Sequence, residues 1–202
     1  MRRRGALRLA VLLAATLATA AQADATWLAA RGRLAPETRL EVFAGVRSVG
    51  AGVVLPDDAS ARAALAAEGL WNYLDRTAEL RGARVWQLTE PGLATASASL
   101  GVSALLVPEG VPTLGAGPHA GLSLALGGRA FSVQLGLQAG LELFGTQPPV
   151  RFPVRALLGV DVALGPVSLA LLARAGADLE PGRAFFVGRG DVILALGWLK
   201  GG

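Results

Sequence analysis

FSVQLGLQAGLEL, residues 131–143, carries the reading of the fold. Its odd positions, Phe131, Val133, Leu135, Leu137, Ala139, Leu141 and Leu143, are all apolar. The even ones, Ser132, Gln134, Gly136, Gln138, Gly140 and Glu142, are polar or glycine. Side chains on a strand alternate sides, so this is one strand with two chemically distinct faces. It is also longer than the about 5–6 residues usual in soluble sheets, and it covers the about 9–11 needed to cross a bilayer at a tilt.

The same period of two recurs through the chain. Val150, Phe152, Val154, Ala156, Leu158, Val160, Val162 and Leu164 alternate with Arg151, Pro153, Arg155, Leu157, Gly159, Asp161 and Ala163. Val167, Leu169 and Leu171 mark the next strand; Val192, Leu194, Leu196 and Trp198 mark the last. Earlier come Ala94 through Leu106 with serines and glycine between, then Leu122, Leu124 and Leu126. Leu40, Val42, Ala44 and Val46 begin the series, and ARVWQLTE (83–90) completes a set of eight predicted strands.

The connections are ordered too. Glu90-Pro91-Gly92, Gly127-Gly128 and Gly165-Pro166 are tight-turn sequences, and longer links at 108–117, 145–149 and 179–183 alternate with them. The longest link, 55–82, is rich in alanine and leucine behind Asp57 and Asp58, which predicts a capped helix lying over one end of the molecule. Eight strands joined in this way predict an antiparallel up-and-down β-barrel over 39–199, all-β apart from that helix.

Alternation alone does not say which face meets water. The non-apolar face is mostly glycine, alanine, serine and glutamine, and Lys200 is the chain's one lysine. Such small residues suit a crowded barrel interior better than a soluble exterior. Arg39, Glu41, Arg47, Glu142, Arg151, Arg155, Asp161, Arg174, Asp178, Arg189 and Asp191 are predicted to form a charge network of both signs in the lumen. Phe131, Phe152, Phe186 and Trp198 lie on apolar faces near strand ends, where a lipid–water interface collects aromatic rings. The apolar face is therefore expected to meet lipid.

The N-terminus is consistent with export. MRRRGALRLAVLLAATLATAAQA has a basic start, an apolar stretch and a small-x-small ending, which predicts a signal peptide over 1–23 cleaved after Ala23, followed by a periplasmic segment at 24–38. Arg2, Arg3, Arg4 and Arg8 account for the whole net charge of +4, because the remaining basic and acidic residues balance at 15 each. The basic isoelectric point thus gives no support for nucleic-acid binding. With no cysteine, the chain has no disulfide, thiolate metal site or catalytic thiol.

Taken together, the signal, the strands, the turn order and the closing DVILALGW segment resemble the small eight-stranded outer-membrane β-barrels of Gram-negative bacteria. The resemblance is architectural and covers roughly 39–199. It implies residence in the outer membrane, membrane lipids and the outer-membrane assembly machinery as partners, and a monomer. It also implies both termini in the periplasm and the 55–82 link outside the cell. The last strand departs from the class in Ile193 and in the LKGG that follows Trp198.

Candidate chemistry is sparse. His119 is the single histidine, so a multi-histidine metal site cannot form. His119, Ser123 and Glu142 share a face, but residues four apart on a strand are about 13 Å apart, too far for a nucleophile–base pair. No catalytic, cofactor or metal site is expected. The leading expectation is a non-enzymatic barrel with a structural or loop-mediated role and no open pore, since eight strands enclose a side-chain-filled interior. Two alternatives are a soluble periplasmic barrel holding a lipid or other apolar ligand, and a lipid-modifying barrel enzyme using His119.

Overall fold

The computed structural model describes residues 34, 37–57, 62–90, 92–108, 113–145, 150–180 and 183–200, with the backbone alone for 183–189. The described elements are all strands: β1 (Thr38–Gly45), β2 (Ser48–Pro56), β3 (Ala63–Asn72), β4 (Thr77–Gln87), β5 (Ala94–Val107), β6 (Thr113–Gly127), β7 (Phe131–Gly140), β8 (Glu142–Phe144), β9 (Val150–Leu164), β10 (Val167–Glu180) and β11 (Arg183–Lys200). Apart from β7 and β8, each pairs antiparallel with its neighbour in sequence, and β11 returns to β1 from Thr38↔Lys200 to Gly45↔Ile193, closing the sheet. β7 and β8 are one stave interrupted at Leu141, because both pair with β6 on one side and β9 on the other. The result is an up-and-down barrel of ten strands.

Two expectations are thereby corrected. The barrel has ten strands rather than eight, and the 55–82 link contains no helix among its described residues. Its place is taken by the end of β2, all of β3, and the start of β4. Alanine and leucine favour a helix only weakly, by tenths of a kcal/mol per residue. A strand here gains a hydrogen-bonded neighbour on each side, β2 from Ser48↔Asn72 to Pro56↔Ala64 and β4 from Ala63↔Trp86 to Asn72↔Thr77. The turn between β3 and β4 is built by Asn72, whose Oδ1 accepts from the backbone N–H of Leu74 and Asp75, both at 3.1 Å, while its Nδ2 donates to Asp75 at 2.7 Å. The Asp57 carboxylate accepts from Arg84 Nη2 at 2.5 Å. Asp58 lies outside the described residues.

Adding two strands leaves the parity of every later turn intact. The connections at 57–62, 88–93, 128–130 and 165–166 fall at the end that carries residue 37 and Lys200, called here the terminal end. Those at 46–47, 73–76, 108–112, 145–149 and 181–182 fall at the far end. Beyond Ile193, β11 runs on to Arg183 with β10 alone as its paired strand, so the β10–β11 hairpin extends past the β1–β2 turn.

The two faces are sorted as the alternation of 131–143 anticipates. Phe131, Leu135, Leu137, Ala139 and Leu143 are exposed on the outside, Val133 and Leu141 are half-exposed, and Ser132, Gln134, Gln138 and Glu142 are buried within. Leu65, Leu80, Leu100, Leu122 and Leu158 are likewise more than half exposed, each on the outer face of its strand. Among strand residues whose side chains are described, only Arg84 and Lys200 put a charge on that face, and both sit near the terminal end.

Candidate functional site

In this closed strand ring the enclosed volume receives the polar ribbon. Four groups of side chains occupy it. At the terminal end, Arg39 Nε donates to Glu41 at 2.7 Å, and its Nη2 donates to Ser168 Oγ at 2.7 Å and to Asp161 at 3.2 Å. Residues from β1, β9 and β10 are thus tied together across the point where the sheet closes. Beside them opens a chamber of about 320 Å³, lined by Leu34, Arg39, Ser132, Gln134, Asp161 and Ala163 among others.

Toward the far end, Asp178 on β10 accepts from Arg155 at 2.5 Å and from Arg151 at 3.1 Å, both on β9, with Glu142 3.8 Å from Arg151. The Arg151 guanidinium also stands 4.7 Å from the centre of the Phe144 ring, a cation–π distance. Asp191 accepts from Ser48 Oγ at 2.6 Å and from the Arg47 backbone N–H at 3.2 Å, with Arg174 4.0 Å away. A fourth group lies on the opposite wall. There Arg81 pairs with Glu79, and its Nη1 donates to Gln138 Oε1 at 3.2 Å.

Of the predicted lumen charges, Glu41, Glu142, Arg155, Arg174, Asp178 and Asp191 are buried, and Arg39, Arg151 and Asp161 are mostly so. Arg47 is half-buried at the β1–β2 turn. Arg189 pairs with Gly176 through its backbone, and its side chain lies outside the described residues. Sequence reasoning missed Glu68, Glu79, Arg81 and Asn72, which point inward from β3 and β4, because that stretch reads as a helix. The signal that could have found them is Asn72-Tyr-Leu-Asp75, a turn motif in the middle of the presumed helix.

The interior is also less polar than expected. Phe43, Leu70, Leu157, Leu172 and Ile193 form one buried apolar cluster with Ala170 and Ala195, drawn from β1, β3, β9, β10 and β11. A second joins Leu34 to Val54, Ala64, Ala66, Ala83 and Val85 near the terminal end. Glycines on the wall make room for the large members. A Cβ on Gly50 would lie 2.6 Å from the Phe43 ring, and one on Gly115 would strike Phe144.

His119 is buried on β6, and neither ring nitrogen has a hydrogen-bond partner among the described residues. Ser123 bonds Ser97 Oγ at 2.7 Å, its register partner on β5. Among the described residues, no group of three or more His, Asp and Glu side chains could hold a metal ion.

Among the described residues, six aromatic residues mark the outer face. Trp86, Phe131 and Trp198 lie near the terminal end, and Trp71, Tyr73 and Phe152 near the far end. Phe131, Phe152 and Trp198 are positions the sequence singled out; Phe186 is on β11, and its side chain lies outside the described residues. No protein-family model matches the chain, and no curated protein matches it.

Proposed function

We propose that this chain is an outer-membrane barrel with a structural or interaction role, exported by residues 1–23 and inserted through its ten strands. One observation carries the reading: the outer wall is apolar along its described length and bounded at both ends by aromatic rings, while the charges are folded inward. In water such an exterior would expose an apolar patch far beyond the few hundred Å² a soluble monomer tolerates. In a bilayer it becomes the contact surface, and the closed ladder leaves no unpaired edge in the hydrocarbon. Because 55–82 is largely wall, the surface offered to a partner moves to the far-end hairpins, β5–β6, β8–β9 and β10–β11.

The test is fractionation with gel mobility. The mature chain should sediment with outer membranes, require detergent for release and migrate faster unheated than boiled. Recovery in the soluble periplasmic fraction would overturn the reading and favour a lipid-carrying soluble barrel.

A further inference from the structure

The chamber at the terminal end has a rim fixed at two turns. The Ala163 backbone N–H donates to the Ala130 carbonyl at 3.0 Å, which holds the β6–β7 turn against β9. The Leu199 N–H donates to the Pro166 carbonyl at 2.7 Å, which holds the β9–β10 turn against β11. Leu34, which precedes β1, lines the chamber and is buried with the inward residues Val54, Ala64 and Val85. The space of about 320 Å³ lies at the small end of ordinary ligand sites, which run from about 300 to 1,000 Å³.

Its four charged lining residues fall into two kinds. Arg39 and Asp161 belong to the network that also holds Glu41 and Ser168. Glu37 and Arg129 make no hydrogen bond or ion pair among the described residues. Glu37 is half-exposed just before β1, and Arg129 is exposed in the β6–β7 turn. Deeper in, Ser132 and Gln134 are buried, and Gln134 Nε2 donates to Ser132 Oγ at 2.7 Å. The Ser132 hydroxyl therefore keeps its own proton for a further acceptor.

A simple anion would meet Arg129 and leave Glu37 uncompensated; a simple cation would do the reverse. A small molecule carrying both charges meets both, each through a charge-assisted hydrogen bond. Leu34, Ala130 and Ala163 add apolar surface for a short body, and the volume excludes a long chain.

We propose that this chamber binds a compact zwitterion, with Arg129 on its anionic oxygens, Glu37 on its primary ammonium and Ser132 donating to an oxygen between them. The site goes beyond the membrane reading and stands without it, because the strand ring frames the chamber whatever meets the outer wall.

The experiment is a ligand-observed NMR titration of the full mature chain folded in detergent. L-alanyl-L-alanine is the first probe and glycerophosphoethanolamine, a zwitterionic lipid headgroup, the second. Saturable binding at one site is expected, and the tighter probe tells a free peptide or amino acid from a headgroup as the source. Arg129→Gln and Glu37→Gln should each weaken binding roughly tenfold, the loss of one charge-assisted hydrogen bond. Both positions lie outside the strands, and a retained β-sheet circular dichroism spectrum checks folding. On the parent chain, the N-acetylated dipeptide and the dipeptide amide each lack one charge and should bind about tenfold more weakly. Glu37→Gln should not weaken the acetylated form further. Absence of saturable binding by both probes, or binding unmoved by both substitutions, overturns the site and leaves the membrane reading standing. The same binding by a chain recovered from the soluble periplasm would support the site while overturning the membrane reading.

Discussion

The wall formed by β9, β10, β11 and β1 and the wall formed by β5 and β6 look alike from outside and unlike from within. Outside, Leu158, Leu171 and Leu194 on the first match Leu100, Leu122 and Leu126 on the second, all exposed and apolar. Inside, the first wall carries Arg39, Glu41, Phe43, Arg155, Leu172, Asp178 and Ile193, and the second mainly serine and glycine. The difference follows from two separate selections. The outer face answers to one uniform surrounding, so every strand converges on the same chemistry. The inner face answers to a fixed volume, where large side chains on one wall require small ones opposite if close packing is to be met without overlap.

The contrast predicts where substitution hurts. The largest loss is expected on the bulky wall. Asp178→Ala leaves Arg155 and Arg151 without their shared carboxylate in a buried setting, and it should lower unfolding stability by about 3–5 kcal/mol in denaturant titration of the folded barrel. A loss below about 1 kcal/mol would instead mean that those arginines are solvated. Next comes the outer face common to both walls. Leu137→Arg, midway along its strand, should cost about 2–4 kcal/mol when the barrel folds into vesicles, and Leu164→Arg, beside the Gly165 turn, about 0–1 kcal/mol. Equal effects at the two positions would break the assignment of that face to lipid.

On the small-lined wall, Gly117→Ala should cost about 1–3 kcal/mol, because the Leu141 carbonyl oxygen already fills the space its Cβ would need. Gly128→Ala, with open space around it, serves as the comparison and should be near neutral in the same titration. A smaller effect than Gly117→Ala is expected of Ser97→Ala, which leaves Ser123 Oγ without its 2.7 Å partner and should cost about 1 kcal/mol. Replacing both serines with alanine should restore most of that loss, a double-mutant cycle that isolates the hydrogen bond.

The same contrast explains which strands were legible beforehand. On β7 the inward ribbon is polar or glycine throughout, and on β9 it carries Arg151, Arg155, Gly159 and Asp161, so apolar and non-apolar residues alternate over most of each strand. On β3 the inward residues include Ala64, Ala66 and Leu70, which join the apolar clusters of the lumen. Outward Leu65, Ala67 and Trp71 are no more apolar than these, so the period of two disappears and a helix reads as well as a strand. β2 alternates through Val49, Ala51, Val53 and Leu55 against Ser48, Gly50 and Gly52, but inward Val54 breaks the alternation just where the presumed helix begins. Of the lumen, the charges on β1 and on β8 through β11 were nameable from their positions alone. Their partners were not: Arg39 lies far along the chain from Asp161 and Ser168, and a register joins them.

By itself, the sequence determined the alternation, the turn parity, the antiparallel meander and the segregation of apolar from polar ribbons. These are local properties, set by side-chain direction on a strand and by which residues tolerate a tight turn. The tertiary structure alone decided the strand number, the division of the lumen between a bulky and a small-lined wall, and the meeting of Arg81 with Gln138. Those depend on closure, which brings into one enclosed volume residues that no spacing along the chain relates.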